Sequence, residues 1–99
     1  MNKEENKLRN LEEELQGVSV ERRTLRCLEL LDSQSDKFSN DGINQVISDY
    51  ENSGDLIDAF LVAHYARMYE REIEILNKAG KYGLARMVAR DKGVPYKWV

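Results

Sequence analysis

The sequence predicts an all-α protein: a small bundle of four to five helices, with a long central helix over about residues 55–78 and a short basic C-terminal helix. Three observations carry that prediction. Apolar residues recur at steps of three and four along most of the chain, which is the helical period. A single proline and abundant Glu, Leu, Lys and Arg favour helix over sheet. No stretch of useful length alternates apolar and polar residues as a half-buried strand does, and no internal repeat is evident. With 99 residues there is room for one core, so residues 1–99 are expected to form a single helical domain. At 41% hydrophobic and 33% charged, the chain is too apolar for a disordered one.

The first predicted helix, about Lys3 to Gln16, sets Leu8, Leu11 and Leu15 at three–four spacing, with Val18 continuing the stripe and all else polar. So narrow a seam suits a helix lying along one neighbour, or along its twin in a homodimer, which makes Leu8, Leu11 and Leu15 candidates for self-association. Glu5 and Arg9 are four apart in the favourable order. Gly17 ends this helix, and Ser19 is placed to cap a second one. There Val20, Thr24, Cys27, Leu28 and Leu31 share a face that Leu25 and Leu30 widen. "DSQSDKFSNDG", from Asp32 to Gly42, reads as a loop, with Phe38 pinning it to the core.

A third helix, roughly Asp41 to Glu51, carries Ile43, Val46, Ile47 and Tyr50 at i, i+3, i+4 and i+7. "ENSGD" is a turn, and Asp55 can cap the helix that follows. That fourth helix, about Asp55 to Lys78, is the longest. Its first half, "LIDAFLVAHYA", is apolar nearly all round and belongs in the middle of a bundle. Gly80 stops it. The fifth helix, "YGLARMVARDK", is expected to turn Leu84, Met87 and Val88 inward and to end at Gly93, ahead of Pro95.

The only histidine, His64, shares a stripe with Ile57, Leu61 and Met68. It reads as a buried or half-buried core residue bonded to a neighbour; the competing role is a metal ligand or general base, since imidazole titrates near neutral pH. A carboxylate-bridged di-metal site needs a Glu three residues before the histidine, and that position holds Leu61. "AHYARMYEREIEILNKAG" resembles a ferritin-like helix in texture, but without those ligands the resemblance implies no iron site. Glu70, Glu72 and Glu74 point about 100° per residue apart on a helix, cannot converge and read as a solvated face, with Glu74 able to pair with Lys78. Tyr65 and Tyr69 read as packing residues. Cys27, the single cysteine, sits among leucines as a small hydrophobe and excludes an intramolecular disulfide. No glycine-rich phosphate loop or activated nucleophile is present in the pattern, so neither an enzyme nor a cofactor is expected.

Charge is unevenly spread. Residues 78–99 carry six basic side chains against Asp91 alone, a net +5, while residues 1–77 carry −8. Within the basic segment, Lys81, Arg86, Arg90, Lys92 and Lys97 with Tyr96 and Trp98 form a candidate patch for nucleic acid or an acidic partner. "LARMVARDKGVPYKWV" resembles the first helix and turn of a helix-turn-helix: Ala89 stands where two helices approach, Gly93 four residues later where the chain turns, and Pro95 where a second helix starts. Lys92 departs from that pattern at a usually apolar position, and too few residues follow Pro95 for a recognition helix. The alternative is that Trp98 and Val99 fold back onto the bundle.

No apolar run approaches the length of a membrane span, and "MNKEENKLRNLEEEL" does not resemble a signal peptide, so a cytoplasmic protein is expected. The leading functional reading is protein–protein contact, as a homodimer or with another protein. The alternative is a nucleic-acid-associated regulator using residues 81–98.

Overall fold

A computed structural model describes residues 8–96 of the chain. It is all-helical: α1 (Leu11–Glu14), α2 (Val20–Gln34), a 3-10 turn (Ser35–Lys37), α3 (Asn40–Asn52), α4 (Leu56–Tyr65), α5 (Tyr69–Lys78) and α6 (Tyr82–Lys92). Among the described residues there is no strand, only one isolated bridge between Arg9 and Phe38. No helix among them is long and apolar enough to cross a membrane.

The N-terminal helix is shorter than the seam predicts. Residues 8–10 are extended because Arg9 pairs with a distant segment: its N–H donates to the Lys37 carbonyl and its own carbonyl accepts from Ser39, both at 2.9 Å. Its guanidinium lies over the Phe38 ring and bonds Glu14 and Gln34; Glu5, the partner expected from the sequence, lies outside the described residues. Asn10 then caps the single turn of α1, its side chain accepting from the Glu12 N–H. Phe38 is buried and pins the α2–α3 connection as the sequence predicts, although that connection is shorter than Asp32–Gly42.

The predicted central helix over 55–78 is two helices. α4 ends at Tyr65 and α5 begins at Tyr69. Between them Arg67 adopts φ 61°, the left-handed region. Its N–H donates to the His64 carbonyl, and the Met68 N–H donates to Ala63 at 3.0 Å. Those two bonds make a Schellman stop. The same pair of bonds ends α3 at Gly54 and α5 at Gly80, where glycine adopts a positive φ without steric cost. Arginine in that role costs on the order of 1 kcal/mol.

α4 packs against α2, α3 and α5, as its all-round apolar surface requires. One buried cluster joins Leu11, Leu15, Cys27, Leu31, Phe38, Ile43, Val46, Ile47, Val62 and Ile75 with their neighbours. A second, much smaller cluster joins Ile73 and Leu76 of α5 to Ala85 and Ala89 of α6. Phe60 packs against both. The inward face of α6 is therefore Ala85 and Ala89, with Val88 half-buried. Leu84 and Met87, predicted to face inward, are 45% and 52% exposed. Small residues at i and i+4 let α6 lie close to α5, and the larger side chains are left outside.

Candidate functional site

The break between α4 and α5 decides where the chemistry-bearing side chains go. On one straight helix, residues 64 and 72 would lie about 12 Å apart along the axis. The elbow folds α5 back so that His64 Nδ1 stands 3.1 Å from Glu72 Oε2. The Glu72 side chain is only 2% exposed and the His64 side chain 49%. Glu72 thus departs from the predicted solvated face, while Glu70 and Glu74 stay exposed. With Glu72 as acceptor, His64 Nδ1 carries the proton and Nε2 sits on the ring edge away from the carboxylate. Phe60 stacks on the imidazole and Tyr65 meets its edge, both at 5.9 Å between centroids. The other oxygen of Glu72, Oε1, is buried with no hydrogen-bond partner among the described residues.

Outside this pair opens a shallow cleft of ≈ 250 Å³, lined by Asp32, His64, Tyr65, Arg67, Tyr69 and Lys92. Three separate pieces of chain meet there: the end of α2, the elbow and the end of α6. Lys92 Nζ lies 5.0 Å from the centre of the Tyr69 ring. Among the described residues no group of three or more His, Cys, Asp or Glu side chains is placed to hold a metal ion.

The candidate basic patch is divided. Arg86 and Arg90 lie on the exposed side of α6 and Lys81 sits exposed at its N-cap. Lys92 turns toward the cleft, and the Tyr96 hydroxyl donates to Asn77 Oδ1 at 2.9 Å, holding the tail against α5. Lys97, Trp98 and Val99 lie outside the described residues. The helix-turn-helix resemblance extends to Gly93, which is left-handed at φ 67°. Beyond it Val94, Pro95 and Tyr96 are not helical, and Val94 and Tyr96 pack onto the second cluster. The leucine seam is divided too: Leu11 and Leu15 are spent in the chain's own core and Leu8 alone is exposed.

A polar network that the sequence did not reveal ties α3 to α5. Arg71 bonds Glu51, Asn44, Ser48 and Glu74, and Lys78 bonds Glu51 at 2.8 Å, so Lys78 pairs with Glu51 and not Glu74. Burial pushes the Glu51 carboxyl up, but hydrogen bonds from Arg71 and Lys78 together outweigh it and hold Glu51 below its ordinary range. At the start of α4, burial first and the Asp55 charge second push the Asp58 carboxyl up. Between those two aspartates Ile57 is 77% exposed. Cys27 is fully buried, and desolvation pushes its thiol up to about 12.

No protein-family model, curated protein or solved structure matches this chain.

Proposed function

We propose that this protein acts through protein–protein contacts and that its first partner is a second copy of itself. The observation that carries this reading is the complementarity of two exposed knobs. The outer side of α6 presents Leu84 and Met87 beside Arg86 and Arg90. The start of α4 presents Ile57 between Asp55 and Asp58, two carboxylates close enough for one to raise the other. Seating α6 of one copy on the start of α4 of another buries apolar surface at both knobs and brings guanidinium to carboxylate. Made reciprocally, the contact closes a dimer. This interface differs from the leucine seam, whose inner residues are already occupied.

Sedimentation tests it. A dimer is expected at micromolar concentration, lost in Met87→Asp and Arg90→Glu, and recovered when Arg90→Glu is mixed with Asp55→Arg. A monomer at all micromolar concentrations ends the proposal. The exposed Lys81, Arg86 and Arg90 also favour a second reading, nucleic-acid contact through α6. That reading requires binding that weakens steeply with salt and with Arg90→Ala; no binding to DNA or RNA at low salt removes it.

A further inference from the structure

We propose that the cleft at the α4–α5 elbow is a binding site for a small phosphate-bearing ligand, gripped by Arg67 and Lys92, with the Nε2 edge of His64 presented to it. The assignment is independent of self-association.

The cleft joins Arg67 and Lys92, one cation from the elbow and one from the end of α6, with only Asp32 of opposite sign lining it. His64 adds an imidazole whose orientation is not left free. Glu72 holds Nδ1 from within the protein and Phe60 stacks on the ring, which leaves the Nε2 edge for a ligand. A buried carboxylate with one oxygen unpartnered is costly. Among the described residues only the bond to His64 offsets that cost, as expected of a group kept to orient an imidazole.

Arg67 bears a second cost. Glycine would fill its left-handed position without strain, as Gly54 and Gly80 do at the equivalent places, yet the chain keeps a guanidinium there. Two locally unfavourable choices converge on one cleft. Two cations against one carboxylate on the cleft lining favour an anion over a cation. Tyr65 and Tyr69 line the cleft with aromatic rings, and Asp32 offers an acceptor for a hydroxyl. At ≈ 250 Å³ the space is below the range of about 300–1,000 Å³ typical of drug-sized ligands, so the occupant is small: phosphate itself or a compact phosphate monoester.

The test is an NMR titration of the full chain with inorganic phosphate and, separately, with phenyl phosphate, using acetate as the control anion. The proposal expects saturable shifts in the amides of residues 64–69 and 92 at millimolar phosphate or ester, and none of that pattern with acetate. Lys92→Ala and Arg67→Gly are each expected to weaken binding roughly tenfold, the loss of one charge-assisted contact. Glycine suits the left-handed elbow, so Arg67→Gly removes the cation without undoing the fold. Tighter binding of phenyl phosphate identifies an ester that stacks on the tyrosines; tighter binding of inorganic phosphate identifies the free anion. Absence of saturable shifts up to about 20 mM of either compound, or affinity unchanged in both variants, overturns the proposal.

Discussion

The part of the molecule built from α1–α4 and the hairpin of α5 and α6 solve the same packing problem with very different means. In the first, leucine, isoleucine, valine and phenylalanine bury one another around α4, and Ile75 of α5 joins them. In the second, α6 rests on α5 through two alanines, Ile73 and Leu76, with Phe60 as the link to the main cluster. Large apolar side chains give the first region its stability. Small ones give the second a close approach and leave Leu84 and Met87 outside. The difference teaches that a helix can belong to the fold while keeping a functional outer face, provided that little of its own surface is needed to hold it.

The strongest way to break this comparison is to cut a cavity on each side. Ile47→Ala is expected to cost about 2–5 kcal/mol and to unfold the whole chain at lower denaturant, hairpin included. Ala89→Gly, in contrast, is expected to cost about 1 kcal/mol and to speed amide exchange mainly in α6. Equal losses of midpoint for the two variants, measured by urea denaturation, would show that the regions are not unequal after all.

Next comes the network that fastens α5 to α3. Arg71→Met is expected to cost about 2 kcal/mol, because Glu51, whose side chain is only 10% exposed, is left with Lys78 alone. The sign of its pH dependence follows from the lowered Glu51 carboxyl. The stabilisation is full above the ordinary glutamate range near 4.5 and is lost as pH falls through the lower folded value. Acid titrations of stability should therefore diverge between wild type and Arg71→Met above that range and converge at the acid end.

A smaller effect reports on the main core alone. The Cys27 thiol is raised from 9.0 to about 12 in the folded chain, so between those values the unfolded state has lost a proton that the folded state keeps. Stability then falls by about 1.4 kcal/mol per pH unit in that window, a slope that Cys27→Ala should flatten relative to wild type. Thiol labelling of the native protein should be slow, and no faster in a variant that loosens only α6.

Much of this architecture was legible in the sequence, and the exceptions have physical causes. The bounds of α3 and α6, the N-cap position of Ser19 and the pinning by Phe38 all follow from local pattern. Three features do not. The extended course of residues 8–10 depends on backbone bonds to residues 37 and 39, which no local pattern reports. The inward face of α6 was misassigned because hydrophobicity ranks Leu84 and Met87 above Ala85 and Ala89, whereas close helix approach favours the alanines. The elbow was missed because its left-handed residue is Arg67, with neither glycine nor proline nearby to mark a stop. That last error carried the others at the site with it. Once 55–78 is read as one straight helix, Glu72 becomes a surface residue, His64 loses its partner, and Tyr65, Arg67 and Tyr69 no longer share a cleft with Lys92.

The elbow is therefore the central claim, and one pair of variants tests it most directly: the relative stability of Arg67→Gly and Arg67→Ala. At a left-handed stop glycine is the better residue, and the account predicts that Arg67→Gly is more stable than Arg67→Ala by about 1 kcal/mol. In the interior of a continuous helix the order reverses by about the same amount, and an alanine variant more stable than the glycine variant would contradict the account.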